Sequence, residues 1–264
     1  MIGYTLAVGD AEIRRYLLMA ERAEANEEGL WSRAGIVAGA MVADIGCGPA
    51  AVSVILARRV APGGHVVAVE REEAALAAAG QMVERAAVTN VELRRGDAAA
   101  TGIAPASMDV VMMRHVLAHN QRDEQRIVDH LATLVRPGGC VYLVDSDATA
   151  IRYLGIDPDL PDLMEKYREL HRRRGNDLQT GLRLGQLLTH AGLEPVTHEG
   201  RYEVLSAPPG LRPPPWAARE TMVADGVASE ADVSRWEAAF ARMDAAELRP
   251  TMFIPSFVAI GRAV

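Results

Sequence analysis

Between residues 41 and 145, short apolar runs alternate with helical stretches at fairly even intervals, and few folds satisfy that rhythm. The strand candidates are MVADI (41–45), HVVAVE (65–70), NVELRRG (90–96), MDVVMMR (108–114) and CVYLVD (140–145). Helices are expected near 51–60, 71–87 and 121–135, with a short one near 98–104. Strands that are Val-rich on both faces must be covered from both sides, and the intervening helices supply the cover. Two further strand candidates, 195–205 and Thr251 to Ile260, complete the count. The expected fold is α/β: a Rossmann-like, seven-stranded, mostly parallel sheet with helices on both faces and a helical lid or cap.

The flanks carry the lid and cap. Residues 9–33 read as a helix with Ile13, Leu17 and Ala20 or Glu21 on one side, and the acidic run Glu21–Glu28 reads as its solvated face. After Asp145 the rhythm changes to helices near 158–174 and 181–191, the second ended by Gly192. A proline-rich excursion, APPGLRPPPWAARE onward, precedes a helix from Ser229. Its SEAD start fits a capping box, and its Val233, Trp236, Phe240 and Met243 stripe reads as core or as a subunit contact, which keeps a homodimer open. No linker divides the chain. The expectation is a single domain over 1–264, with a lid at 1–35, a ligand-binding core at 36–145, cap insertions at 146–180 and 206–250, and the last strand at 251–264.

Composition narrows the function. Lys and Arg number 28 against 35 Asp and Glu, a net charge of −7, which argues against nucleic-acid backbone binding. The two cysteines, Cys47 and Cys140, exclude a disulfide scaffold. The seven histidines show no metal-ligand spacing, so no catalytic metal is expected. No apolar run reaches the roughly 20 residues of a membrane span, and the N-terminus lacks a signal-peptide pattern. A cytoplasmic protein with no membrane or nucleic-acid partner is expected.

The chemistry concentrates in VADIGCGPA (42–50), where a strand ends in a glycine turn that opens into a helix. Gly46 and Gly48 let the backbone approach a ligand, but with Ala51 they also satisfy a dinucleotide-binding pattern. Asp44 separates the readings: a carboxylate there repels a pyrophosphate and pairs with an ammonium, so the ligand's head group is read as an amino acid. Glu70, at the end of the second strand, can accept from both hydroxyls of a ribose. Asp97 in Gly96–Asp97–Ala98 can accept from an adenine amino group, and LVRPGG (134–139) turns into the fifth strand. Together these describe a nucleoside with an amino-acid tail.

Residues 42–145 resemble the class I S-adenosylmethionine (SAM)-dependent methyltransferases: DIGCG is similar to their first motif, Glu70 to their ribose acid and GDA to their adenine loop. MDVVMMRHVLAH and LVRPGG resemble their fourth-strand and fifth-strand motifs, and the look is nearest to the quinone-biosynthesis-like group, which includes many small-molecule enzymes of bacterial secondary metabolism. YTLAVGDAEIRRYLLMAE resembles the opening of one subset, whose first helix closes over the cofactor. The resemblance implies SAM as cofactor, held by Tyr4, Arg15, Asp44, Gly46, Gly48, Glu70, Arg71, Asp97, Ala98 and Arg114. Met19 stands where that subset often has Gln, and Arg71 where an apolar residue is usual. It further implies methyl transfer to the O, N or C atom of a small, apolar or aromatic substrate. His115 and His119 are the candidate bases, because histidine titrates near neutrality, and Asp145 and Asp147 come next. Tyr153, Met164, Tyr167, His171, Trp216 and Met222 are candidates for the substrate cavity. The rivals are a protein that binds the cofactor without methylating and a nicotinamide-dependent oxidoreductase.

Overall fold

The computed structural model describes residues 10–264; Tyr4 lies outside the described residues. Helix α1 (Asp10–Ala34) leads into β1 (Met41–Ile45), α2 (Ala51–Val60), β2 (His65–Glu70), α3 (Glu73–Ala86), β3 (Val91–Arg95) and β4 (Met108–Arg114). A 3-10 turn (Leu117–His119), α4 (Glu124–Leu134), β5 (Val135–Ser146), β6 (Arg152–Leu154), α5 (Pro161–Arg173) and α6 (Leu184–His190) follow. Last come β7 (Glu194–Ser206), α7 (Pro214–Ala217), α8 (Arg219–Ala224), α9 (Glu230–Ala245) and β8 (Thr251–Arg262).

Strands β3, β2, β1, β4 and β5 lie side by side and parallel, and β8 runs antiparallel between β5 and β7. These are the seven expected strands. The short β6 is an addition: Ser146 of β5 faces Ser256 and Arg152 of β6 faces Phe253, so β6 prolongs the line of β5 along β8 past the loop 147–151. Strands are added to one side of β1 up to β3 and then to its other side from β4, and this switch point opens a crevice at the carboxyl ends of the strands.

Both faces of the sheet are buried, as Val-rich strands require. Ala43, Ile45, Val111, Met113 and Leu143 pack with α4 and α6 on one side, while Val42, Val66, Val110, Met112 and Tyr142 pack with α1 and α2 on the other. The insertions have a separate core, in which Leu163, Tyr167 and Leu170 of α5 meet Met222 of α8 and Trp236 and Phe240 of α9. The stripe on α9 is therefore core, and Ser229 and Asp232 form the expected capping box.

Four local expectations are corrected. Residues 98–104 form a turn, with Asp97 bridged to Ala100 and Gly102 at φ 70°, and contain no helix. Helix α4 starts at Glu124 because Gln121 and Arg122 take left-handed φ of 52° and 75°. The fifth strand starts at Val135, and its Arg136–Gly139 stretch bulges opposite Asp109. On α1, Leu17 is exposed while Glu12 and Arg15 are buried, because this half of the helix covers a cavity and not the sheet.

Candidate active site

The β1–α2 turn is shaped by its glycines. Gly46 has φ 74°, and a Cβ there would meet Val116 Cγ2 at 2.4 Å, so only glycine lets β1 end against the segment that follows β4. The Gly46 and Cys47 amides both donate to Val69 O, at 2.8 and 3.0 Å, and this ties the turn to β2. Cys47 is buried, and burial, reinforced by Asp44 and Glu70, pushes its thiol well above the ordinary value. It packs and does not react.

Asp44 is buried, and among the described residues its hydrogen-bond partner is the Ser53 hydroxyl, which donates at 2.6 Å. Burial pushes its carboxyl up to about 6, against the opposing pull of Ser53 and of the Arg114 charge. Glu70, at the end of β2, is also buried and accepts from the amides of Gly48, Arg71 and Glu72 at 3.0, 2.8 and 2.9 Å. Neither carboxylate forms an ion pair with a cation among the described residues.

The remaining predicted residues divide. Arg15, Arg71, Gly96, Ala98, Arg114, His115 and His119 line the same cavity as Asp44, Gly46, Gly48 and Glu70. Asp97 does not: it is exposed, and its carboxylate accepts from the Ala99 amide at 2.9 Å within its own turn. Asp145 lines the cavity, whereas Asp147 binds Thr149 and Ala150 and caps the loop after β5. Tyr153, Met164 and Tyr167 reach the cavity, but Met222 and Trp216 belong to the packing of the insertions, Trp216 edge-on to Phe240 at 5.2 Å. His171 is fully buried behind His119, its ring centroid 4.9 Å away.

Sequence reasoning missed Glu27. It was assigned to a solvated face, yet it is completely buried and accepts from Arg114 at 2.5 and 3.1 Å, from the Tyr142 hydroxyl at 2.7 Å and from Arg201 at 3.3 Å. Burial alone would raise its carboxyl, but these partners hold it below the ordinary value. The signal was present: Ala20, Ala23, Glu27, Leu30 and Ala34 recur at helical spacing, so Glu27 falls on the buried stripe of α1.

Residues 36–192 match the family model of the methyltransferase domain, more than half of the chain. The chain belongs to this methyltransferase family. An arsenite methyltransferase of Halobacterium salinarum is 31% identical over 117 residues, which cover 44% of this chain and 30% of that protein. A demethylmenaquinone methyltransferase of Listeria welshimeri is 30% identical over 108 residues, 41% of this chain and 45% of that protein, so the chain spans less than half the length of either curated relative. The crystal structure of a SAM-dependent methyltransferase from Aquifex aeolicus aligns with a TM-score of 0.54 at 13% identity, covering 96% of this chain and 99% of that one, and shares its fold.

The cofactor that goes with this methyltransferase family is SAM, and the residues present fit it. A buried carboxylate with no ion-pair partner among the described residues (Asp44) suits the ammonium of the amino-acid tail, and a second buried carboxylate at the end of β2 (Glu70) suits the hydroxyls of a ribose. The cavity of about 280 Å³ continues from this crevice between α1 and the insertions, past Leu18, Met19, Tyr153, Met164, Leu205 and Ile254. Every arginine that lines it is paired: Arg15 with Glu12, Arg22 with Glu203, Arg71 with Glu72, Arg114 with Glu27 and Arg212 with Asp244.

Proposed function

We propose that this chain is a SAM-dependent methyltransferase whose acceptor is a small, uncharged, apolar or aromatic molecule. The observation that carries the reading is the continuity of one cavity: carboxylates without an ion-pair partner among the described residues line one end, and apolar side chains from α1, β6, α5 and the antiparallel β7–β8 pair line the other. When bound, the cofactor supplies an activated methyl group on a sulfonium. The chain's own residues hold the two reactants in register and keep water out. Asp44 and Glu70 fix the amino-acid tail and the ribose, and Leu18, Met19, Tyr153 and Met164 enclose the acceptor.

The pairing of every lining arginine supports an uncharged acceptor, because an anionic substrate would have to draw an arginine away from the carboxylate it already holds. The two curated relatives bear on the acceptor unequally. Arsenite is a soft ion that thiolates hold, and here Cys47 and Cys140 are both buried and Cys140 lies in the sheet core away from the cavity, so the arsenite reading lacks its ligands. A quinone-like ring, by contrast, matches the apolar wall. A nicotinamide dinucleotide is disfavoured by Asp44, which would face its phosphates.

Isothermal titration with S-adenosylhomocysteine is the test. Micromolar binding that a Glu70→Ala variant weakens at least about 10-fold, with the fold kept by circular dichroism, is the expected result. No heat at high micromolar ligand refutes the proposal, and an unchanged affinity in the variant removes Glu70 from the site.

A further inference from the structure

His115 and His119 share one cavity wall, but their surroundings differ in a way that separates their chemistry. His115 follows β4 with φ 54°, a left-handed conformation that costs a side-chain-bearing residue energy and is held by the bond from its amide to Val144 O at 2.8 Å. That backbone turns Nδ1 toward Asp145, 3.9 Å from Oδ1. Asp145 is itself buried and anchored by the Ala118 and Ser146 amides at 3.2 and 2.9 Å. At 3.9 Å Asp145 is beyond direct hydrogen-bond reach, but its charge favours the tautomer with hydrogen on Nδ1, and the lone pair is then on Nε2 of a ring that lines the cavity.

His119 has no such support. Its Nδ1 is sealed from solvent with no partner among the described residues, and its ring packs against that of His171, which in turn lies edge-on to Tyr167 at 4.3 Å. An N–H buried without an acceptor is rarer and costlier than a lone pair left without a donor. The neutral ring therefore carries its hydrogen on Nε2 and presents a donor to the cavity. Burial, the main cause, holds its basicity below the ordinary value, which keeps the ring neutral and suited to donate.

On the methyl-transfer reading above, we infer that the site divides two tasks on one substrate edge: His115 Nε2 takes the proton of an acceptor hydroxyl, and His119 Nε2–H donates to a neighbouring carbonyl oxygen. The acceptor class is then a neutral aromatic hydroxy-ketone or hydroxyquinone, methylated on oxygen. The O–H bond breaks toward His115, the oxygen forms its bond to the methyl carbon, and the bond from that carbon to sulfur breaks, leaving a neutral thioether. Asp145 acts through His115 as a positioning residue.

Two measurements test this. Long-range proton–nitrogen NMR on the protein at pH 7 reads the tautomers directly: His115 should carry its hydrogen on Nδ1 and His119 on Nε2, and the reverse at either ring overturns the assignment. Titration of the S-adenosylhomocysteine complex with 1-hydroxy-2-acetonaphthone and with 2-ethyl-1-naphthol isolates the carbonyl. The ketone should bind about 3- to 10-fold more tightly, and His119→Phe should erase that preference. With labelled SAM, His115→Gln should lower kcat for the ketone about 100-fold or more with KM little changed. Equal affinity for the two probes, or a preference that survives in His119→Phe, overturns the inference while leaving cofactor binding and the methyl-transfer reading in place. Failure to bind S-adenosylhomocysteine at all overturns both.

Discussion

Replacing Asp44 by Asn should stabilise the unliganded protein and disable it. The Asp44 carboxyl sits at about 6, against an ordinary 3.8, chiefly because burial removes its water and one Ser53 hydroxyl does not replace it. A displacement of about two units, at about 1.4 kcal/mol each, makes ionised Asp44 a cost of about 3 kcal/mol to the folded state at neutral pH. The folded protein holds this proton more tightly than the unfolded chain does. The penalty is therefore absent below the unfolded value, grows as pH rises between the two, and is complete above about 6. Asn keeps an oxygen for Ser53 and carries no charge, so most of the penalty should go. At roughly 2–4 °C per kcal/mol for a chain of this size, the variant's Tm should rise several degrees at pH 7.5 and converge on that of the wild type near pH 4. Its affinity for S-adenosylhomocysteine should fall about 10- to 100-fold, because the ligand's ammonium loses its countercharge. Wild-type affinity should itself weaken about tenfold per unit below pH 6, as the carboxyl takes up a proton that binding must expel. Scanning calorimetry across pH and titration calorimetry read both quantities. A variant less stable than wild type at pH 7.5, or a Tm difference that does not change with pH, refutes the reasoning.

Two other substitutions probe the frame of the site. Gly46→Ala places a methyl against Val116 in a backbone conformation that side chains resist, so Tm should fall by several degrees and cofactor binding should weaken with it; normal values for both would show that the turn has slack. Glu27→Ala strands the mostly buried Arg114 guanidinium and should cost about 3–5 kcal/mol in urea unfolding, whereas a cost under about 1 kcal/mol would mean that Arg114 finds another partner.

The sheet was legible because fully buried strands leave a two-faced signature: adjacent positions such as Val110 and Val111, which face opposite sides, are both apolar and unexposed, as are Val42 and Val66. The crevice was legible for a related reason, since a turn that admits only glycine and carboxylates at the ends of buried strands leave marks in sequence at Gly46, Asp44 and Glu70. The insertions were harder. Whether Trp216, Met222 and His171 face a ligand or each other depends on how α5, α8 and α9 dock, and helical spacing gives a buried face without naming its neighbour. Leu17 and Glu27 show the same limit from opposite sides. A helix laid half over a cavity and half over a sheet exposes a leucine in its first part and buries a carboxylate in its second. The exposed Asp97 side chain follows a local rule instead, accepting from the Ala99 amide within its own turn.

The separate packing of α5, α8 and α9 has a consequence for how such a protein changes over generations. Because Leu170, Met222, Trp236 and Phe240 hold one another and do not rely on the sheet, the roof of the chamber can be remodelled as a unit. Changes at Met164, Leu211 or Pro213 would then reshape that end of the chamber while the glycine turn and carboxylates at its other end keep their own supports.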